Sequence, residues 1–219
     1  MPSTLLIPAL VLFVVWCLLL LASPRTRQEQ AVMSLVGLVL SPAILFFAAQ
    51  TGTGAVQPIA VENLIFGASF FGVAAVIYEG LFGRFFVANK GPRFLKRTHS
   101  VLAWTARLIL AAAIWSAVTV ACLFVLGLSF LQAMLVSALF VGVYVIAERK
   151  DLLGDALASG ACMAVLILLS QLIFAFALYR LPLGIGGLPL TLVPVAWAAI
   201  VGFAIGPLYE YVRRLKAVR

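Results

Sequence analysis

The sequence predicts an all-α, polytopic membrane protein with about seven transmembrane helices. Apolar residues make up 65% of its 219 residues and charged residues only 10%, whereas about a quarter of the residues of a soluble domain are charged. A chain of this length cannot bury so much apolar surface in one aqueous core. Its apolar runs approach the roughly 20 residues that cross a bilayer core. We therefore expect a single membrane domain, residues 1–219.

Seven apolar runs define the expected helices in chain order. They cover residues 4–22, 31–49, 61–82, 101–126, 130–147, 156–179 and 190–212. No basic residue precedes the first run, and this run is longer than the core of a signal peptide, so we expect a retained helix. Only Gly127, Leu128 and Ser129 separate the fourth run from the fifth. This spacing predicts a tight hairpin, and it is the weakest boundary of the seven.

The distribution of basic residues predicts an N-terminus outside the cytoplasm and a C-terminus inside it. Of the fifteen Lys and Arg residues, all but Arg180 fall on the side of the membrane that carries the C-terminal tail. They lie in short loops and near helix ends, where the positive-inside rule applies best. Basic loops of this kind face anionic lipid rather than nucleic acid. The expected location is a bacterial or archaeal plasma membrane, with membrane lipid as partner, no nucleic acid, and self-association into a homo-oligomer left open.

The ends of the third and seventh runs indicate an internal repeat. The third run ends in Tyr78-Glu79 and the seventh ends in Tyr209-Glu210. Both runs point the same way, so two halves would be related by an axis along the membrane normal. Alternatively, Tyr-Glu is an interfacial anchor that the chain uses twice. The repeat predicts a 3+1+3 arrangement, with a first half over residues 1–100, a connecting helix over 101–129 and a second half over 130–219.

Three glutamates are the candidate chemical groups, because ionisable side chains at membrane depth are costly and usually functional. Glu62 opens the third helix, Glu79 closes it, and Glu210 closes the seventh. Glu62 and Glu79 would lie about 25 Å apart along one helix, so they cannot form one carboxylate pair. Glu79 and Glu210 can approach each other if the halves pack symmetrically. Alternatively, both pair with arginines such as Arg107 or Arg213 at the cytoplasmic surface.

Glu62 stands beside aromatic residues. Asn63, Phe66 and Phe70 follow it on the same predicted helix. A carboxyl group in a dry aromatic pocket keeps its proton and can deliver it to an apolar substrate. The alternative is an acid in the first helical turn that faces water and interacts favourably with the helix dipole.

Several common kinds of site are missing from the sequence. The sole histidine, His99, lies in a basic loop, and the three cysteines form no Cys-x-x-Cys pair. Aspartate-rich diphosphate-binding motifs are missing, and the seventh run has no lysine that could hold retinal. We therefore expect no metal site and no cofactor.

Short motifs in both halves carry a family resemblance. In the first half they are Arg25–Arg27, Ser41-Pro42, Pro58, Glu62-Asn63, Phe66-Gly67 and Gly72 to Tyr78-Glu79. In the second half they are Arg149 to Gly160, Leu188-Pro189-Leu190, Trp197 and Gly206-Pro207-Leu208-Tyr209-Glu210-Tyr211. Together these motifs resemble the membrane-integral lycopene cyclase domain found in bacteria, archaea and fungi. The resemblance covers most of the chain and is weakest in the fourth helix.

The resemblance implies acid-initiated cyclisation of a carotenoid or related isoprenoid, without net redox change and without a cofactor. An acid would donate the proton, and aromatic faces would stabilise the resulting cation. The family tends to place acidic pairs at the starts of the third and seventh helices; this chain has Glu62-Asn63 at the first and Val193-Pro194 at the second. The catalytic candidates are Glu62, Glu79 and Glu210. The substrate-binding candidates are Asn63, Phe66, Phe70, Tyr78, Trp197 and Tyr209.

Two other functions remain open. A 3+1+3 arrangement is also the plan of small transporters, and Pro42, Pro194 and Pro207 could supply the helix breaks that such carriers need. A water-filled central cavity would favour a transporter, and a closed aromatic pocket would favour an isoprenoid protein. The third option is a non-catalytic membrane scaffold.

Overall fold

The computed structural model describes residues 6–50, 60–83, 85–88, 100–179, 192–213 and 215–218, with side chains for 6–42, 60–83, 106–175 and 192–213. The elements in chain order are α1 (Leu6–Ala22), α2 (Arg27–Gln50), α3 (Val61–Phe82), β1 (Phe85–Ala88), α4 (Ser100–Phe124), α5 (Phe130–Glu148), α6 (Leu153–Tyr179), α7 (Leu192–Ile205), α8 (Leu208–Arg213) and β2 (Leu215–Val218). A 3₁₀ turn over Lys150–Leu152 leads into α6.

Several helices can cross a membrane by length and composition. Within the described residues five segments qualify, namely Val61–Phe82, Ala106–Phe124, Phe130–Glu148, Lys150–Ala175 and Leu192–Arg213. The apolar α1 is 17 residues long and falls just below the usual span length. The predicted helical architecture, with several helices long and apolar enough to cross a membrane, is confirmed at this coarse level.

Two helices begin earlier than the apolar runs predict. α2 begins at Arg27 instead of residue 31, and α6 begins at Leu153 instead of residue 156. Their first turns contain charged residues, so a search for apolar residues starts these helices too late. As a result, Glu29 and Asp155, which the sequence analysis left in loops, lie in the first turns of helices.

The predicted hairpin between the fourth and fifth runs is confirmed. Gly127 takes the left-handed conformation, with φ +63°, which glycine adopts without steric cost. Ser129 then caps α5. Its side chain accepts a hydrogen bond from the Gln132 backbone amide, and its own amide donates to Gln132 Oε1 at 3.1 Å. This reciprocal arrangement satisfies two amides that a helix start otherwise leaves unpaired.

The seventh run differs from its prediction because it is broken. α7 ends at Ile205 and α8 begins at Leu208, with Gly206 and Pro207 between them. Proline has no backbone N–H and interrupts the helical hydrogen-bond pattern. The break places Tyr209, Glu210 and Tyr211 on a short separate helix.

The sequence did not predict the short two-stranded ribbon that accompanies the helices of this all-helical fold. β1 and β2 pair antiparallel, with Phe85 opposite Val218 and Ala88 opposite Leu215. Both strands are four residues long, too short to stand out beside the long apolar runs. The ribbon joins the chain that follows α3 to the chain that follows α8.

Close helix pairs organise the core. α2 packs along α3, α6 along α7, α1 against α3, and α5 against α7, while α3 also contacts α6. Small residues allow these approaches: a Cβ added to Gly37 on α2 would lie 2.3 Å from the Gly67 carbonyl oxygen on α3, and one added to Gly160 on α6 would lie 2.7 Å from the Ala199 carbonyl oxygen on α7. α4 lies at the periphery, against α5 and α8.

Candidate functional site

Three glutamates from separate helices meet at one end of the bundle. Glu29 lies near the start of α2, Glu79 near the end of α3, and Glu210 on α8. One carboxylate oxygen from each lies within 4.8 Å of the other two. Glu29 and Glu79 are 5% exposed and Glu210 is fully buried. The structure thus brings Glu79 and Glu210 together, and it adds Glu29.

A fourth buried acid stands beside these three. Asp155, near the start of α6, is 2% exposed and interacts electrostatically with Glu29, Glu79 and Glu210. Its Oδ1 accepts a hydrogen bond from Ser159 Oγ at 3.3 Å, one turn along α6. We call Glu29, Glu79, Asp155 and Glu210 the acid cluster.

Hydrogen bonding in the acid cluster is incomplete. Among the described residues, both carboxylate oxygens of Glu210, Oε1 of Glu29 and Oδ2 of Asp155 are buried without a hydrogen-bond partner outside the acid cluster. Buried polar atoms are normally paired, and an unpaired one costs about 1–3 kcal/mol. Carboxylates this close also repel one another. Protons held by the carboxyl groups, or a bound cation, would reduce both costs.

The predicted pairing of Glu210 with arginine is not observed among the described residues. Arg149 donates instead to the backbone carbonyl of Glu210 at 3.3 Å, and Arg107 donates to that of Val212 at 2.9 Å. These bonds satisfy carbonyl groups near the end of α8, which lack partners in the helix itself. The arginines therefore hold the backbone of α8 in place. Arg84 and Arg214 lie outside the described side chains.

Two tyrosines flank the acid cluster. Tyr209 is buried and lies within electrostatic range of Glu29, Glu79 and Glu210, and the Arg213 guanidinium sits 5.7 Å from its ring centre. The Tyr78 hydroxyl reaches the start of α6, because a Cβ added to Gly154 would be 3.4 Å from it. Both predicted tyrosines thus lie near these acids, whereas the aromatic candidates lie elsewhere.

The aromatic candidates form a second group farther along α3. Trp197 on α7 lies with its ring centre 5.0 Å from Phe70 and 6.3 Å from Phe66 on α3. Glu62 and Asn63 are half-buried in the first turn of α3, one turn before Phe66. The continuous helix separates Glu62 from Glu79 by about 25 Å. The predicted residues therefore fall into two groups at different depths.

Sequence reasoning missed Glu29 and Asp155, although a signal existed. Each is the third residue of its helix, Glu29 on α2 and Asp155 on α6. Each of these helices precedes a segment that ends in Tyr-Glu. The charged segments that hold these acids, Arg25–Glu29 and Glu148–Asp155, match in the two halves, but an acid beside basic residues was interpreted as an ordinary helix start.

A shallow groove lies on the described surface between two helices. It lies between α4 and α5 and has a cavity volume of only about 10 Å³, and Arg107, Ile114, Tyr144 and Tyr211 are among its lining residues. Neither the acid cluster nor the aromatic group lines it.

The chain matches no family model, no curated protein and no solved structure. The resemblance to the lycopene cyclase domain and the function drawn from it therefore stay predictions.

Proposed function

We propose that this chain is a lycopene-cyclase-like membrane protein that binds a carotenoid or related isoprenoid and cyclises it without net redox change. The observation that carries the proposal is the contact of Phe66 and Phe70 on α3 with Trp197 on α7, one helical turn from Glu62. Aromatic faces stabilise a carbocation, and a half-buried carboxyl group beside them is a suitable proton donor.

Glu62 is the proposed proton donor of this site. Protonation of a terminal alkene gives a carbocation, a second alkene attacks it to close the ring, and loss of a proton restores neutrality. No oxidant or reductant enters this sequence of steps. Asn63 supplies a polar neighbour for the carboxyl group, and the aromatic rings line the apolar part of the substrate.

The proposed architecture is two three-helix halves joined by α4. Three parallels support it. α2 packs on α3 as α6 packs on α7, the acids Glu29 and Asp155 occupy matching helix starts, and strands β1 and β2 follow the two Tyr-Glu segments. With the N-terminus outside, the acid cluster lies at the cytoplasmic end and Glu62 at the opposite one.

A transporter needs an aqueous path between the halves, and the described packing gives this alternative less support. Phe70 on α3 and Ala198 on α7 are fully buried, and Val201 is nearly so. These side chains fill the region where α3 faces α7. The geometry therefore favours the isoprenoid proposal.

Expression in bacterial cells that accumulate lycopene tests the proposal. We expect either ring-closed carotenoid in the pigment extract or carotenoid that co-purifies with the protein, identified by absorbance and mass. Glu62→Gln should abolish ring closure and leave co-purification intact, because the amide cannot donate a proton as a carboxyl group does. Asp151→Asn, at an exposed acid paired with Arg149, is the matched control and should behave as the unaltered chain.

Two results would count against the proposal. If lycopene is unchanged and no isoprenoid co-purifies with well-folded protein, the chain is not an isoprenoid protein. If ring closure survives Glu62→Gln, the donor is another acid.

A further inference from the structure

The acid cluster concentrates four carboxyl groups that the proposed isoprenoid chemistry at Glu62 does not use. They come from α2, α3, α6 and α8, four separate parts of the chain. Each is at least 95% buried. Acids that only begin or end helices would point to water, where their charge costs little. Their burial at one point needs another reason.

The unpaired oxygen atoms are an independent indication of a missing partner. Glu210 is fully buried, and in the described part of the chain neither of its carboxylate oxygens meets a hydrogen-bond partner outside the acid cluster. Asp155 keeps its second oxygen buried and unpaired while it interacts electrostatically with Glu29, Glu79 and Glu210. Among the described side chains, the Arg213 guanidinium lies within electrostatic range of Glu29 and lowers the cost of its charge.

We propose that the acid cluster is a binding site for a divalent cation that prefers oxygen ligands, of the Mg²⁺, Ca²⁺ or Mn²⁺ class. Glu29, Glu79 and Glu210 are the direct ligands, and Asp155 adds negative charge beside them. A cation would neutralise these charges and occupy the unpaired oxygens at once.

The geometry of the cluster fits this class of ion. Ca²⁺ binds oxygen at about 2.3–2.6 Å, so two oxygens on the same ion lie at most about 5 Å apart. The three glutamate oxygens lie within 4.8 Å of one another, inside that limit. Mg²⁺, at about 2.1 Å, would draw the same oxygens slightly closer. The three cysteines lie outside this group, so its carboxylates favour hard cations over zinc or copper.

The sequence predicts no metal site, because no group of metal ligands lies close together in the chain. Here the ligands are far apart in sequence and meet only through helix packing. The cation site is independent of the isoprenoid proposal, since it involves other residues at the other end of α3.

Metal analysis and thermal unfolding of the purified full-length protein in detergent test the site. After treatment with a chelator, Mg²⁺, Ca²⁺ and Mn²⁺ are each added back without any carotenoid. We expect one bound ion per chain and a rise of several degrees in the unfolding midpoint for at least one of these cations, because a ligand of the folded state stabilises it. Na⁺ at matched ionic strength should give no such rise.

Matched variants locate the effect. Glu210→Gln and Glu79→Gln should each lose the cation-dependent shift, because each removes one of the three direct carboxylates. Asp151→Asn, which alters an exposed acid near the start of α6, should keep it. If a glutamine variant fails to fold, the metal content of the unaltered protein and the cation-dependent rise in its unfolding midpoint still test whether the site binds a cation.

The opposite pattern would overturn the site. If the unaltered protein binds no divalent cation and its unfolding midpoint ignores all three, the cluster shares protons among its carboxyl groups. The same conclusion follows if the shift is equal in the unaltered protein and in Glu210→Gln. Absence of carotenoid conversion has no bearing on either result.

Discussion

At the residue scale, Asp155 shows how the acid cluster depends on single neighbours. Its Oδ1 has a hydrogen-bond donor in Ser159, while Oδ2 has none among the described residues. Ser159 is itself fully buried, so water does not readily replace it. A buried carboxyl oxygen that loses its donor costs the desolvation free energy of that group. Ser159 is therefore a positioning residue for the acid cluster.

We expect Ser159→Ala to destabilise the protein by about 1–3 kcal/mol, because it leaves a buried carboxylate oxygen without its donor. The fraction folded during unfolding in detergent, followed by helical circular dichroism, measures this cost. In an Asp155→Asn background the same substitution should cost less, because the carboxyl group to which Ser159 donates is already gone.

The difference between the two costs isolates the interaction of the two side chains. Equal costs in both backgrounds would mean that Ser159 acts through packing alone. Gly206 packs directly against it, since an added Cβ there would lie 2.6 Å from Ser159 Oγ, and that contact would then be the explanation.

The site was predictable from sequence only in part. Glu79 and Glu210 stood out because an acid at the end of an apolar run is conspicuous. Glu29 and Asp155 did not, since an acid in a charged first turn looks like an ordinary helix start. The convergence of all four depends on how α2, α3, α6 and α8 pack, and local sequence carries little information on that.

At the element scale, the contact between α2 and α3 rests on two glycines. A Cβ at Gly37 would lie 2.3 Å from the backbone oxygen of Gly67. A backbone atom cannot rotate away, so the helices would have to separate. Where helices pack in a membrane, small residues of this kind allow the close backbone approach that gives the contact its dispersion energy.

Gly37→Ala should therefore destabilise the protein by about 1–3 kcal/mol. Gly80→Ala is the matched control, because its added Cβ would meet only the end of the flexible Leu19 side chain, at 2.8 Å. Removal of a helical glycine there should be neutral or stabilise by up to about 1 kcal/mol. Thermal unfolding of both variants in the same detergent compares them. Equal losses at the two positions would contradict the close contact.

Most helices were predictable because a membrane span needs a long apolar run. α3 has the predicted bounds, and α5 differs by one residue. The polar first turns of α2 and α6 were not predicted, because helical hydrogen bonding extends beyond the apolar part of each helix. The sequence shows Pro207 as a possible helix break, but it does not show that a separate helix begins after it. The β1–β2 ribbon was not predicted, because its paired strands are separated by 126 or more residues of the chain.

At the scale of the whole molecule, the acid cluster and the basic segments lie at the same end of the bundle. The ends of α3 and α8 and the starts of α2 and α6 meet there. The chain around these helix ends holds Arg27, Arg149, Lys150 and Arg213. Proteins retain such a basic end in the cytoplasm, where anionic lipid and the membrane potential favour positive charge.

This charge asymmetry predicts the orientation of the chain. A green fluorescent protein fused after Arg219 should fluoresce in a bacterial host, because it folds in the cytoplasm. An alkaline phosphatase fused at the same point should be inactive, since that enzyme requires the oxidising periplasm. Phosphatase fused within residues 181–191, between α6 and α7, should be active. Both reporters are fused at each point as a control for expression. At any fusion point one of the two should be active, the fluorescent protein in the cytoplasm or the phosphatase in the periplasm.

A fluorescent fusion between α6 and α7 together with an active phosphatase at the C-terminus would reverse the orientation. The positive-inside rule would then fail for a chain in which fourteen of fifteen basic residues are predicted to share one side. If the segment 181–191 and the C-terminus were on the same side of the membrane, the number of spans between these two fusion points would be even. The broken segment of α7 and α8 would then be the first to doubt, since Pro207 interrupts it within reach of the membrane surface.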